Sequence, residues 1–348
     1  MTKRSALPDR ISSVAELDLL LSEPSPDLIE TMGTLEGGVL VLGAGGKMGF
    51  TLAAMAHRAA EAAGLELPVI AVSRFADQAQ REPFEKLGVE TVHCDLLDVE
   101  ALNRLPELPN VVFMAGRKFG SVGNEPLTWA VNTFVPGLVA RRFREARIVA
   151  FSTGNVYPFV PVESPGATED TPPAPVGEYA QSCLGRERIF QHFCLAQGTP
   201  TVLIRLSYAI DLRYGVLLDI ARAVWTGEPI DLGMSRVNAI WQGDACDWAL
   251  RAFSLCTVPA AILNVTGPEI VSVRTVAERF GALFGRRPVF RGCEEPDALL
   301  ASSARACRLF GNPRVPLERM IAWVADWVAR DGPTYAKPTH FSEREGRF

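Results

Sequence analysis

Residues 38–49 read Gly38-Val39-Leu40-Val41-Leu42-Gly43-Ala44-Gly45-Gly46-Lys47-Met48-Gly49. The apolar run before the glycines predicts a buried parallel strand, and apolar residues at helical spacing after them predict a helix. A glycine turn between strand and helix lets the backbone approach a pyrophosphate, whose charge lies on the first N–H groups of the helix. This stretch therefore predicts a dinucleotide site, and the alternative is a flexible loop.

Further along the chain, apolar runs alternate with helical patterns up to about residue 206. This alternation predicts an α/β fold, a Rossmann-type doubly wound parallel sheet. From about residue 211 the pattern becomes shorter and more mixed, which predicts a smaller C-terminal α/β substrate lobe. We expect an N-terminal helical extension over residues 1–36, lying on this domain or on a partner subunit, and a Rossmann domain over residues 37–206. Residues 207–330 should form mainly the substrate lobe, with some segments returning to the Rossmann core. Residues 331–348 should form a polar tail that reaches over the surface.

Composition limits the function class of this 348-residue chain. Its 48% hydrophobic and 22% charged residues are typical of a globular protein, and a net charge of −5 argues against a nucleic-acid or membrane surface. Seven cysteines without CxxC pairing indicate reduced thiols. No apolar run approaches the length of about 18 residues that spans a bilayer. We expect a cytoplasmic protein, with no metal because the four histidines lack ligand spacing.

The end of the second predicted strand bears on the choice of cofactor. Ser73-Arg74 stands where an acidic residue would bond both ribose hydroxyls and favour NAD. A guanidinium there can pair with a 2′-phosphate, so we expect NADP to be preferred over NAD. The alternative is that Arg74 is solvated and does not select between the two forms of the ribose.

The ends of the next two strands supply the remaining cofactor candidates. Asp95 and Leu96 are expected at the adenine, unless Asp95 or Asp98 only caps the following helix. The small Ala115-Gly116 would let the nicotinamide end pass close to the backbone. The predicted cofactor contacts are Gly43, Gly45, Gly46, Lys47, Met48, Gly49, Ser73, Arg74, Asp95, Leu96, Ala115 and Gly116.

Taken in order, these motifs resemble the extended short-chain dehydrogenase/reductase superfamily, in its NAD-dependent epimerase/dehydratase family. The resemblance covers most of residues 38–330. It rests on the glycine turn, Asp95-Leu96, Asn132, Phe151-Ser152-Thr153 with Val156-Tyr157, residues 168–173, Tyr179 and Asn264-Val265-Thr266-Gly267.

The resemblance implies roles for several side chains. Thr153, with Ser152 as its neighbour, would orient the oxygen of the substrate, and Tyr179 would deliver or remove the proton. Asn132 would belong to the same site. This set agrees with the chemistry, because carbonyl reduction needs a proton donor and a polarising hydroxyl beside the hydride.

The chain departs from the family where the family's active-site lysine would follow the tyrosine by four residues. That position holds Cys183, and a neutral thiol supplies no cationic field to stabilise a tyrosinate. Lys118 is the expected substitute, because its loop should border the nicotinamide pocket. Arg186 is the other nearby cation, two helical turns from Tyr179. A nucleophilic Cys183 is an alternative without an activating histidine nearby, and a small packing residue is the simpler interpretation.

Two functions from different classes follow. The first is an NAD(P)-dependent oxidoreductase or epimerase acting on a hydroxyl or keto group of a carbohydrate-like small molecule. The second is a dinucleotide-binding sensor or regulatory protein with weakened catalysis, which the missing lysine favours. Retention of Tyr179, Thr153 and Asn132 favours the enzyme. Relatives commonly pair through two helices, so we expect a homodimer.

Overall fold

A computed structural model describes residues 6–348, and its centre is one sheet of seven parallel strands. The strands are β1 Val39–Leu42, β2 Val69–Ser73, β3 Glu90–His93, β4 Asn110–Phe113, β5 Arg147–Thr153, β6 Thr201–Leu206 and β7 Ala261–Val265. Their order across the sheet is β7-β6-β5-β4-β1-β2-β3. The order reverses between β1 and β4, and ligands of such sheets bind at this reversal. The predicted doubly wound sheet is confirmed.

Helices cover both faces of the sheet and build the lobe. They are α1 Val14–Leu21, α2 Pro26–Gly33, α3 Gly49–Ala62, α4 Gln78–Glu85, α5 Val99–Asn103, α6 Glu125–Trp129, α7 Val135–Arg142, α8 Gly177–Gln197, α9 Val216–Thr226, α10 Gln242–Arg251, α11 Val273–Phe284, α12 Ala304–Phe310 and α13 Leu317–Ala329. Among residues 6–348, no helix combines the length and apolar character needed to cross a membrane.

Short elements complete the described part of the chain. Two-stranded pairs join Arg236–Val237 to Val271–Ser272, Ala209–Ile210 to Ile240–Trp241, Pro229–Asp231 to Val289–Arg291, and Val160–Pro161 to Asp297–Ala298. The 3₁₀ turns are Gly154–Val156 and Ala252–Leu255.

Two apolar layers hold the sheet between its helices. On one face α2, α3, α10 and α12 pack against alternate strand residues, with Leu28, Leu52 and Trp248 among the buried side chains. On the other face α5, α7 and α8 pack, where Phe113 meets Phe190 edge-to-face at 5.3 Å. Because β7 and α10 belong to the sheet and its cover, the chain returns to the Rossmann core after residue 207.

The lobe has its own apolar core, built from α1, α9, α11 and α13. Leu17 and Leu21 of α1 are fully buried in that core, whereas Leu28 and Met32 of α2 pack on the sheet side. The N-terminal extension thus joins the two parts within one chain. Residues 1–5 of the predicted extension lie outside the described residues.

The segment that carries Asn132 differs from a plain α-helix. Residues Ala130–Phe134 form a π-helical turn between α6 and α7, and the N–H of Val135 bonds to the oxygen of Ala130. Pro136 follows, and proline has no N–H to donate to the carbonyl four residues earlier, which is that of Asn132. Such turns are frequent at functional sites.

The C-terminal tail makes contacts that its composition did not reveal. Residues 335–338 are exposed, but Thr339 is buried and Phe341, Glu343 and Phe348 line the cleft between sheet and lobe. The polar composition of the tail gave no sign of these contacts, because they are set by complementary groups far away in sequence.

Candidate active site

The glycine turn leaves room beside its backbone. Gly43 has φ of +91° and lies so near the next strand end that a Cβ would be 2.5 Å from the nitrogen of Ala115. A Cβ on Gly49 would be 2.0 Å from the oxygen of Ala44, so both glycines are required by the fold itself. Gly46 is different, because the nearest atom to its Cβ would be 3.4 Å away. Its open face lies toward the cavities, where a ligand can approach the backbone.

The amino end of α3 adjoins this space. Met48 occupies the N-cap position and makes no side-chain cap hydrogen bond. The Nζ of Lys47 donates to the oxygen of Ala209 at 2.8 Å, and burial lowers the pKa of this amine to about 8. Gly49 already donates its N–H to the oxygen of Gly46 at 3.1 Å, so an anionic group would bind the N–H groups of the following residues in the first turn.

A cavity of about 270 Å³ lies at the carboxyl ends of β2 and β3. Its walls contain the predicted cofactor residues Gly43, Gly45, Gly46, Ser73, Arg74, Asp95, Leu96, Ala115 and Gly116. Asp98, not Asp95, is the N-cap of α5 and accepts from the N–H of Ala101 at 3.1 Å. Asp95 accepts through Oδ1 from the N–H of Leu97 at 3.0 Å and lines the cavity.

A second cavity of about 360 Å³ joins the glycine turn to the lobe. Its walls contain Tyr179, Thr153, Ser152, Lys118 and Gly116 from the predicted set, together with Lys47, Met48 and Gly49 of the turn. Thr153 stands at the end of β5 and Tyr179 in the first turn of α8, so the fold brings them to one wall. Asn132 and Cys183 are fully buried behind that wall.

The Tyr179 hydroxyl has Thr153 and Cys183 as neighbours, and both side chains act on its pKa. Thr153 Oγ1 itself donates to Asn155 Oδ1 at 2.9 Å. Burial raises the pKa of Tyr179 above its ordinary value of 10, whereas the positive charge of Arg186 and the nearby Thr153 hydroxyl lower it. Burial also raises the pKa of the Cys183 thiol, so this side chain is a thiol rather than a thiolate nucleophile at neutral pH.

Arg186 connects the residues behind the catalytic wall. Its Nη2 donates to Asn132 Oδ1 at 2.8 Å, its Nη1 to the oxygen of Phe151 at 2.7 Å, and its Nε to the oxygen of Asn132 at 3.3 Å. The last carbonyl is the one that Pro136 leaves without an N–H. Sequence reasoning placed Arg186 two turns from Tyr179 and ranked it below Lys118, because the distance along a helix does not reveal where a long side chain bends.

Asn132 connects the loop after β4 to α8. Its Oδ1 accepts from the N–H of Arg117 at 2.8 Å, and its Nδ2 donates to the oxygen of Arg117 at 2.9 Å and to Ser182 Oγ at 2.9 Å. Ser182 Oγ in turn donates to the oxygen of Tyr179 at 2.8 Å. Asn132 thus positions the turn that carries the tyrosine.

Ser152 is engaged in a buried network. Its Oγ donates to Glu187 Oε1 at 2.6 Å, and Glu187 also accepts from Arg205 Nε at 2.9 Å and Nη2 at 2.7 Å. Arg205 is 2% exposed and stacks over Tyr157. This network anchors the end of β5, and Thr153 is the hydroxyl of the pair that faces Tyr179.

Lys118 lies at the cavity wall among aromatic rings. Its Nζ is 5.8 Å from the ring centre of Tyr179 and 4.3 Å from that of Phe348. Burial lowers the pKa of Lys118 to about 8, and the negative charge of Asp219 opposes this effect. Within residues 6–348, no three His, Cys, Asp or Glu side chains are grouped closely enough to hold a metal ion.

Residues 39–210 match the model of the NAD dependent epimerase/dehydratase family. The fold is similar to UDP-glucose 4-epimerase from Thermus thermophilus in complex with NAD (TM-score 0.66, 23% identity, covering 83% of this chain and 97% of that one). It is also similar to UDP-glucuronic acid 4-epimerase from Bacillus cereus with NAD (0.68, 17%, 84% and 99%). A third similar structure is MoeE5 with UDP-glucose and NAD (0.66, 21%, 85% and 99%). These likenesses establish the fold. No curated protein matches the chain in sequence.

Proposed function

Because residues 39–210 make this chain a member of the NAD-dependent epimerase/dehydratase family, we propose that it is a nicotinamide-dependent oxidoreductase or epimerase. It would act on a hydroxyl or keto group of a carbohydrate-like small molecule. The observation that carries the proposal is that Tyr179 and Thr153 lie together on the wall of a cavity that reaches the glycine turn.

The residues present fit a dinucleotide. The open face of Gly46 and the uncapped amino end of α3 suit a pyrophosphate, and the cavity beside Ser73 and Asp95 suits an adenosine. Solved structures of similar fold contain NAD, which supports the same cofactor class here. When bound, the nicotinamide supplies or accepts the hydride.

Tyr179 would handle the proton of the substrate oxygen. The phenol is protonated at neutral pH, so it can donate to an oxygen that gains charge during carbonyl reduction. Burial makes the phenol a weaker acid, and the charge of Arg186 opposes that effect. Thr153 would hold that oxygen beside the phenol. In the reverse direction Tyr179 would accept the proton, and the charge of Arg186 helps because it favours the phenolate. Lys118 would add a second positive charge at the same wall.

The preference for NADP is a further part of the proposal. Arg74 is exposed on the wall of the adenosine cavity, where a guanidinium suits a 2′-phosphate. NAD in the structures of similar fold supports the other cofactor.

A homodimer is also proposed, through α6, α7 and α8. Phe134, in the turn between α6 and α7, is 57% exposed and Leu195 of α8 is 65% exposed, which is the kind of apolar surface that a second copy would cover. Sedimentation velocity on the purified chain measures this directly, and a monomer at micromolar concentration would contradict it.

Replacing Tyr179 by Phe tests the proposed reaction. NADH and NADPH binding are first measured by fluorescence titration, and sugars and sugar acids are then screened for a change in nicotinamide absorbance. We expect Tyr179→Phe to lower turnover by about 10²–10⁴-fold with unchanged cofactor affinity. Tyr335→Phe, whose ring is 41% exposed, is the matched control. Tight cofactor binding without turnover by the wild type would favour a sensor.

A further inference from the structure

Residues 339–348, here called the strap, run along the cavity of about 360 Å³ that contains Tyr179, here called the central cavity. The strap is held in place at several points. Thr339 donates to Asp219 Oδ2 from its N–H at 2.8 Å and from its hydroxyl at 2.6 Å. Arg344 donates to the oxygens of Gly233 at 2.9 Å and Asp297 at 3.1 Å and also pairs with the Asp297 carboxylate. The strap is therefore bound to the lobe by specific polar contacts.

A crossing of two glycines fixes the strap to the helix that carries Tyr179. A Cβ on Gly177 would lie 2.6 Å from the oxygen of Gly346, and a Cβ on Gly346 would lie 2.3 Å from the oxygen of Val176. Gly346 has φ of +72° and Gly177 of +80°. The two backbones can approach this closely only because neither residue has a side chain.

The strap then reaches the proposed reaction centre. The Phe348 ring meets the Tyr179 ring edge-on at 5.5 Å, and Lys118 Nζ lies 4.3 Å from the centre of the Phe348 ring. The oxygen of Phe348 accepts from the N–H of Ser121 at 3.1 Å. Phe348 therefore forms a wall directly beside Tyr179 and Lys118.

With the strap in this position, space for a substrate is small. Thr339, His340, Phe341, Glu343 and Phe348 all line the central cavity, whose volume is about 360 Å³. Sites for drug-sized ligands occupy about 300–1,000 Å³, and this cavity also has to admit the nicotinamide end of the proposed cofactor. The space beside Tyr179 and Phe348 is therefore close to that of one sugar ring, and a further cavity of about 760 Å³ shares Gly46, Lys47 and Tyr214 with it.

The charges of the strap act at the same place. Arg344 is paired with Asp297, so its charge is already compensated. Glu343 places a carboxylate on a wall that also carries Lys47 and Lys118, so release of the strap would leave a more cationic wall for a diphosphate.

We propose that the seated strap limits the side of the site at Phe348 to a monosaccharide-sized group and thereby weakens the binding of nucleotide-linked sugars. The inference deepens the proposed function and rests on it. Phe348 and Glu343 are the specificity-determining residues, and Gly346 is the residue that allows the strap to seat.

The test uses Gly346→Ala in the full-length chain, with Gly64→Ala as matched control. Both glycines have φ of +72°, but a Cβ on Gly64 meets nothing within 4 Å, so only Gly346→Ala adds a collision. UDP-glucose binding is measured by calorimetry without added cofactor. We expect Gly346→Ala and Phe348→Ala to bind at least tenfold more tightly than the wild type and Gly64→Ala. Equal affinity in all four proteins, or tight binding by the wild type, would overturn the proposal.

A second readout separates the strap from the proposed reaction. The rate at which an amine-reactive reagent labels Lys118 is followed by mass spectrometry. Faster labelling in Gly346→Ala than in Gly64→Ala is expected, because the Phe348 ring covers this amine. Equal rates would contradict a seated strap. If labelling responds but NADH binds to none of the proteins, the proposed function fails and the seated strap stands.

Discussion

Arg186 Nη2 donates to Asn132 Oδ1 at 2.8 Å, and the same guanidinium binds the carbonyl oxygen of Asn132. This contact joins α8, which carries Tyr179, to a π-helical turn that Pro136 leaves short of a donor. A single buried cation thus stabilises the irregular backbone and also acts on the pKa of the tyrosine.

Replacing Arg186 by Met should therefore change both stability and pH dependence. Each carbonyl or amide oxygen left without a donor costs about 1–3 kcal/mol, so the melting temperature should fall. Because the arginine charge lowers the Tyr179 pKa, its loss should move the limb of the kcat/KM profile that reports Tyr179 to higher pH. The profile is measured in a Lys118→Arg background, which should remove the decline near pH 8. Arg188→Met, on the same helix but at an exposed bond to Gln191, is the control. An unchanged pH profile would show that Arg186 has only a structural role.

Cys183 provides a second test, because the resemblance in sequence implies that it stands where the family's lysine would be. We expect Cys183→Ala to retain activity within about threefold, since burial keeps the thiol protonated. Loss of activity in Cys183→Ala would indicate thiol chemistry.

The Cys183→Lys variant tests the missing cation. A charge beside Tyr179 should lower its pKa and shift the kcat/KM profile toward lower pH, with each unit corresponding to about 1.4 kcal/mol. The buried ammonium should also reduce stability. A profile identical to that of the wild type would argue that Arg186 or Lys118 already supplies the field.

Lys118 gives the site a pH dependence of its own. Its pKa of about 8 means that the amine loses its charge as pH rises through about 8, and activity that needs this charge should fall there. Lys118→Arg should remove the decline in activity near this pH, and Lys118→Met should have low activity at every pH. A decline near pH 8 that persists in Lys118→Arg would assign it to another group.

The same pKa shift changes stability in a defined direction. The folded state releases the Lys118 proton near pH 8, whereas the unfolded chain holds it to 10.5. The unfolded state therefore binds more protons between these values, and the free energy of unfolding should rise with pH in that window. Urea unfolding at pH 7.5 and 9.5 should show this rise, and Lys118→Met should reduce it without abolishing it, because burial also lowers the pKa of Lys47 to about 8.

Arg74 is the residue on which the proposed preference for NADP depends. Arg74→Ala should weaken NADPH binding by about 10–100-fold, because a charge-assisted bond contributes about 1.5–3 kcal/mol, and should leave NADH binding unchanged. Arg104→Ala, exposed at the end of α5, is the control. If NADPH binding by Arg74→Ala equals that of the wild type, the arginine is only solvated.

Glu187 tests the buried network beneath Ser152. Glu187→Gln leaves the fully buried Arg205 without its counter-charge, so the free energy of unfolding should fall by about 3–5 kcal/mol. Glu145→Gln, in an exposed pair with Arg144, should have almost no effect. Equal denaturation midpoints for the two variants would contradict a structural role for this pair.

Much of the fold was predictable from local patterns. Continuous apolar runs and apolar residues at helical spacing are patterns set within a few residues. The strands, the glycine turn and the order in which Thr153 and Tyr179 follow one another could therefore be predicted from the sequence. The π-helical turn at Asn132 had a visible signal in Pro136, but which group would satisfy the freed carbonyl had none.

By itself, the sequence determined the α/β class, the glycine turn and the residue types of the proposed site, because these depend on side chains close along the chain. Only the tertiary structure decided that Arg186 faces Asn132, that Glu187 engages Ser152, and that residues 339–348 close over Tyr179. Each of those contacts joins groups distant in sequence, so it depends on the burial and shape of the whole fold rather than on any local pattern.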